Sequence, residues 1–133
     1  AFSGADTTAP FDQENGTGGG AFVNSAQPGS VTPGSDNELI VTSFAWASAA
    51  GAMSIDSAMS ITDQNDFSGG TNYGGGLAYK VQTTAAAINP TWSFSATVAG
   101  DVTIATFKAA AGGAATWGPL LGGQNNRLVV AVP

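Results

Sequence analysis

The sequence predicts an all-β fold, an immunoglobulin-like or jelly-roll-like antiparallel sandwich of about seven or eight short strands. Three observations point there. Apolar and polar residues alternate in LAYKVQT (77–83) and TWSFSATV (91–98), the period of a half-buried strand. Turn signals, Pro-Gly at 28–29 and 33–34, Asn-Pro at 89–90 and Gly-Asp at 100–101, separate the candidate strands at close intervals. No apolar stripe at a spacing of 3.6 extends long enough for a helix.

Taken in chain order, residues 1–20 show no period and read as an extended N-terminal arm that ends in a glycine run. GAFVN (20–24) is a short strand, and SVT between the two Pro-Gly turns is an edge. NELIVTSFAWA (37–47) carries Leu39, Val41 and Ala45 on one face and Ile40, Phe44 and Trp46 on the other, so it reads as a central strand buried on both sides. MSID (53–56) and MSIT (59–62) flank a bend, and DQNDFSGGTNYGGG (63–76) reads as a long polar loop. In 77–83, Leu77, Tyr79 and Val81 share a face. In 91–98, Trp92, Phe94, Ala96 and Val98 point inward. Gly100-Asp101 is expected to be a tight hairpin turn with VTIATFK (102–108) as the returning strand. AAAGGAA (109–115) is a linker, and the C-terminal arm holds one apolar run, Leu128 to Val132. The organisation is therefore an arm (1–20), a sandwich (21–110), and a linker with a C-terminal arm (111–133).

Composition limits the chemistry. The 133 residues are enough for one domain with a real core. Histidine and cysteine are both absent, which removes Ser-His-Asp and Cys-His catalysis, thiolate or imidazole zinc sites, histidine haem ligation and disulfides. Net charge is −6, and the three cations, Lys80, Lys108 and Arg127, are scattered. Neither nucleic acid nor an anionic membrane surface is expected as a partner. No apolar run approaches the ~20 residues of a membrane-spanning helix, and none reads as a signal peptide. Ala1 fits either removal of an initiator methionine or cleavage of a leader. Only 9% of residues are charged, so hydroxyl, amide and methyl groups make up much of the surface, which suits packing against other protein.

Motifs for chemistry are weak. In GGTNYGGGLAYK (69–80), three residues separate Gly76 from Lys80, whereas a phosphate-binding loop puts its lysine directly after the last glycine. The oxygen-rich stretches FDQENG (11–16) and TDQNDF (62–67) invite calcium, but counting from Asp63 puts Ser68 and Gly74 where an EF-hand needs glycine and a carboxylate. Asx-rich turns without metal are the plainer reading. Asp36, Glu38, Asp56, Asp63 and Asp66 supply carboxylates for a glycosidase pair, with no spacing that sets two across a cleft. Asn15-Gly16-Thr17 is a glycosylation sequon that has meaning only in a secreted eukaryotic chain. Trp46 and Trp92 read as core, while Tyr73 and Trp117 read as exposed contacts. No enzyme activity, cofactor or metal is expected.

The middle of the chain, roughly Gly29 to Ala109, resembles a β-sandwich module of bacteriophage virion accessory proteins of the capsid decoration, head-fibre or tail-appendage type. The elements that carry the resemblance are PGSVTPGSDNELIVTSFAWAS, SITDQNDFSGG, GGLAYKVQTTAAAINPTWSFS and VTIATFKAA, in that order. It implies a structural protein of a virion, assembled in the host cytoplasm, whose partners are a major capsid or tail protein and further copies of itself. The arms and the sandwich surface would bind these neighbours, with Phe2, Phe11, Tyr73, Trp117, Leu120, Leu121 and Arg127 as contact residues. The alternative is a carbohydrate-binding adhesin or fibre domain, extracellular or secreted, that uses the loop 63–76.

Overall fold

The computed structural model describes residues 4–18, 20, 23–47, 51–67 and 73–111. Within them the chain is all-β and sandwich-like, with seven antiparallel strands: β1 (Phe11–Thr17), β2 (Val23–Ala26), β3 (Glu38–Ala47), β4 (Met53–Ile55), β5 (Ser60–Phe67), β6 (Tyr73–Gln82) and β7 (Trp92–Phe107). The described residues hold no helix.

β7 organises the fold. Its second half, from Ala99, pairs with β3 on one side and from Val102 with β1 on the other, in a sheet of order β1-β7-β3-β6-β5. Its first half pairs with β2 and β4 instead. These two halves lie in different layers, because the first half packs its side chains onto the inner face of the five-stranded sheet: Phe94 lies 4.6 Å from Phe44 ring to ring.

This corrects the expectation of a hairpin at Gly100-Asp101, for β7 runs through both residues without reversing. The inward positions Trp92, Phe94, Val98, Val102, Ile104 and Thr106 keep one parity along its length and all are buried. A two-residue hairpin would instead set Thr103 opposite Val98. Gly100 marks the passage between layers, where a Cβ would collide with the carbonyl oxygen of Ala45 and the Phe44 ring.

Of the segment expected as an extended N-terminal arm, residues 4–17 are laid against the fold. β1 is an edge strand on β7, and ahead of it Asp6 donates its N–H to the carbonyl of Lys108 (2.9 Å) while Gly4 accepts from Ala110 (2.9 Å). β1 shows no apolar period because an edge strand here is exposed along almost its whole length. The polar loop expected at 63–76 is largely ladder: β5 extends to Phe67, β6 starts at Tyr73, and the two pair from Ser60↔Tyr79 to Phe67↔Tyr73. Val31 and Ile88 close the core with an isolated bridge. The C-terminal run Leu128 to Val132 lies outside the described residues.

The core forms between the layers: Ile40, Phe44, Trp46, Ala78, Trp92, Phe94, Val98, Val102 and Ile104, with Val31, Met59 and Ile88 at its margin. β6 contributes glycines to it. Gly74 and Gly76 sit opposite Trp46 and Phe44. A Cβ on Gly74 would collide with the Trp46 indole, and one on Gly76 would lie 3.1 Å from the Met53 sulfur and 3.2 Å from Trp92. The glycines leave room for two indoles, an arrangement in which aromatic rings cover glycine positions of a sheet. Trp92, fully buried, donates from Nε1 to Thr42 Oγ1 (3.2 Å), and Thr42 donates in turn to the Thr103 carbonyl (2.7 Å). A buried indole N–H thus finds the partner it requires.

Candidate functional site

Cross-strand partners share a face of a sheet, so the ladder registers define what the five-stranded sheet shows on its other side. Its first row is Phe11, Phe107, Leu39 and Val81 across β1, β7, β3 and β6. The second is Glu14, Ala105, Val41, Tyr79 and Ser60, and the third Gly16, Thr103, Ser43, Leu77 and Asp63. Beyond these come Asp101, Ala45, Gly75 and Asn65, then Ala99, Ala47 and Tyr73. Among the described residues no strand packs on this face, since β2, β4 and the first half of β7 all lie on the other.

The face is apolar at one end and small in the middle. Leu39 is buried there, apart from the core cluster, and Val41, Leu77, Tyr79, Val81 and Phe107 are half-buried. Phe11 is 50% exposed and meets Phe107 edge to face, with ring centroids 6.4 Å apart. Thr103, Ser43 and Gly16 leave an open trough of about 590 Å³, which Glu14, Val41, Ala105 and Phe107 also line. A second trough runs past Ser43, Ala45, Asp63, Asn65 and Leu77. Leu77, Tyr79 and Val81, which the sequence groups on one face, therefore look away from the core, while Gly74, Gly76 and Ala78 look into it. Tyr73 is 56% exposed at the far end, on a strand rather than in a loop.

The face has acid at its margins and, among the described residues, no cation. Glu14, Asp63 and Asp101 lie on it and are exposed. Lys80 falls on the inward register beside Ile40, and its Nζ donates to the Ser57 carbonyl (3.0 Å). Lys108 pairs with Asp12 (3.4 Å).

Several carboxylates read as candidates for chemistry are tied to backbone. Asp12 accepts from Gly34 N–H (2.8 Å), Asp36 from Ala85 N–H (2.7 Å), and Asp56 from Thr91 N–H (2.8 Å) and Ser57 Oγ (2.9 Å). The Gly34 N–H, helped by Lys108, holds the Asp12 carboxyl below its ordinary value, and the Thr91 N–H does the same for Asp56. Asp6 is likewise lowered by the N–H groups of Ala9 and Thr8. Glu38 is enclosed at the start of β3, where its Oε1 accepts from Ser35 N–H and Oγ, each at 2.9 Å. FDQENG and TDQNDF lie in β1 and β5 rather than in Asx turns, and the described residues bring no three potential metal ligands together.

Of the expected contact residues, the structure places Phe11 at the apolar end of the outer face and Tyr73 at the opposite end. Phe2, Trp117, Leu120, Leu121 and Arg127 lie outside the described residues. Sequence reasoning missed Leu39, Val81 and Phe107 as one row with Phe11, because the row depends on cross-strand register. Comparison of the chain with protein-family models, with curated proteins and with solved structures finds no match.

Proposed function

We propose that the chain is a non-enzymatic structural module of a virus particle, a capsid decoration or other virion accessory protein that works by burying surface against neighbouring subunits. The observation that carries the protein-binding part is the outer face of the five-stranded sheet, with Phe11, Phe107, Leu39 and Val81 in one row and no described strand over them. A sheet face rich in half-buried apolar side chains gains free energy when another protein excludes water from it. The particle comes into the reading from the resemblance of residues 29–109 to phage accessory modules and from the lack of histidine and cysteine. With β1 on β7, and with Gly4, Asp6 and Pro10 bonded to residues 108–110, residues 4–17 serve the chain's own fold, so the sheet face and the C-terminal segment carry the binding.

Immunogold electron microscopy on the particle fraction of the source material tests this. Label on virus particles is the expected result. Label confined to a cell envelope or to secreted filaments would overturn the virion assignment.

A second reading, a carbohydrate-binding domain, draws on one observation: the exposed Tyr73 ring at the same end of the sheet as the trough flanked by Asp63 and Asn65. A glycan array with signal that Tyr73→Ala abolishes would favour it, and an array without signal would remove it.

A further inference from the structure

We propose that the C-terminal segment 112–133 of one copy docks on the outer face of the five-stranded sheet of a second copy, linking chains head to tail. The inference rests on reading that face as a protein-binding surface, and is independent of the virion assignment.

Charge gives the first argument. The face carries Glu14, Asp63 and Asp101 and, among the described residues, no cation. Segment 112–133 contains Arg127 and no acidic residue. Opposite charge at the rim fixes register and disfavours wrong partners. Apolar content gives the second. Trp117, Leu120 and Leu121 form one cluster and Leu128 to Val132 another, directly after Arg127. These match the apolar first row and the small-residue troughs beside it. An exposed strand-forming run of this kind is an aggregation hazard unless something covers it.

Reach and direction give the third. Extended at ~3.3 Å per residue, 112–133 spans on the order of 70 Å, several times the ~20 Å width of five strands. The chain leaves the sheet pinned in line with β7: Lys108 donates its N–H to the Pro10 carbonyl (2.7 Å), Ala5 and Ala109 form a bridge, and Ala110 bonds Gly4. These bonds fix the start of the segment at the end of β7, from which its length reaches the outer face of an adjoining copy. A contact that joins two different patches is heterologous, so it generates rings or open filaments rather than closed twofold dimers.

The test is sedimentation of the full chain across a concentration series, with two variants. Val81→Lys alters the face and keeps the segment. Val130→Asp alters the segment and keeps the face. Wild type is expected to grow in mass with concentration, and each variant alone to remain monomeric, with association weakened at least about tenfold. An equimolar mixture of the two variants should form one-to-one dimers and nothing larger, because only one intact pair of surfaces remains. Thermal melts check that both variants are folded. If Val81→Lys does not fold, excess synthetic peptide 112–133 added to wild type should dissociate the assemblies. Wild type that stays monomeric at every concentration overturns the proposal, as does association untouched by Val130→Asp or by the peptide. Self-association without particle labelling would leave this inference standing and remove the virion.

Discussion

The two faces of the five-stranded sheet use the same strands in opposite ways. On the inner face large side chains meet glycine: Trp46 lies over Gly74, and Met53 and Trp92 crowd Gly76. On the outer face the same β6 carries Leu77, Tyr79 and Val81, yet no described strand covers them. Bulk apolar residues are thus no guide to which side is the core. β6 looks inside out because the indoles of β3 and β7 need empty space opposite them, and glycine supplies it.

The largest test of this contrast is a pair of truncations. Trp92→Ala should cost about 3–5 kcal/mol in urea unfolding, since it opens a cavity and removes the indole N–H that donates to the Thr42 hydroxyl. Leu77→Ala on the other side should cost about 1 kcal/mol or less. Equal losses would mean the outer face is buried within the monomer. Next in size, Gly74→Ala should destabilise by about 1–3 kcal/mol, because the added methyl group meets the Trp46 ring. The matching change at Gly75, on the outer face, finds only the Phe44 carbonyl oxygen at 3.8 Å and should be nearly silent.

A third test uses acid. Asp12 and Asp56 have native values below that of an unfolded aspartate, about 3.9. The unfolded chain therefore binds more protons in that range, and stability rises with pH. The contribution is full above about pH 5 and is lost as pH falls through the native values. Urea midpoints from pH 6 to pH 2 should drop, and less steeply in Asp56→Asn. Smallest, and opposite in sign, is the turn between β4 and β5. Ser57 and Ala58 both have positive φ, 58° and 54°, a conformation costly for alanine. Ala58→Gly should raise stability by about 0.5–1 kcal/mol, read as a higher thermal midpoint.

The readable parts of the fold were those where local pattern and burial agree. β3 at the centre of the sheet follows from its apolar run, although its expected burial on both sides does not hold, for Ala45 is exposed on the uncovered side. Trp92 as core and the inward Phe94 and Val98 on β7 follow from alternation, and Trp46 as core from its place beside Phe44. The rest depended on partners distant in sequence. FDQENGT has no apolar period because it is an exposed edge, and Gly74 to Gly76 pass for a loop unless Trp46 and Trp92 are known to lie against them. The false hairpin at Gly100-Asp101 had a local remedy, since the unbroken even-numbered parity from Trp92 to Ile104 argues against a reversal. Of the candidate surface, the exposure of Phe11 and Tyr73 was anticipated, while the row that joins Phe11 to Val81 needed the registers.

That β7 belongs to both layers also sets an order of events during synthesis. β7 is the last described strand to leave the ribosome, and β1, β2, β3 and β4 all pair with it. In a nascent chain that has emerged as far as residue 91, β3-β6-β5 is the only ladder available among the described residues. Its other three strands wait unpaired, β1 for partners about 90 residues away along the chain and β2 for partners about 70 away. Such long-range closure is slow, and the waiting edges are sticky. Folding on the ribosome would thus be deferred until residue 107 has emerged, and a stall before that point would release a chain with neither layer complete.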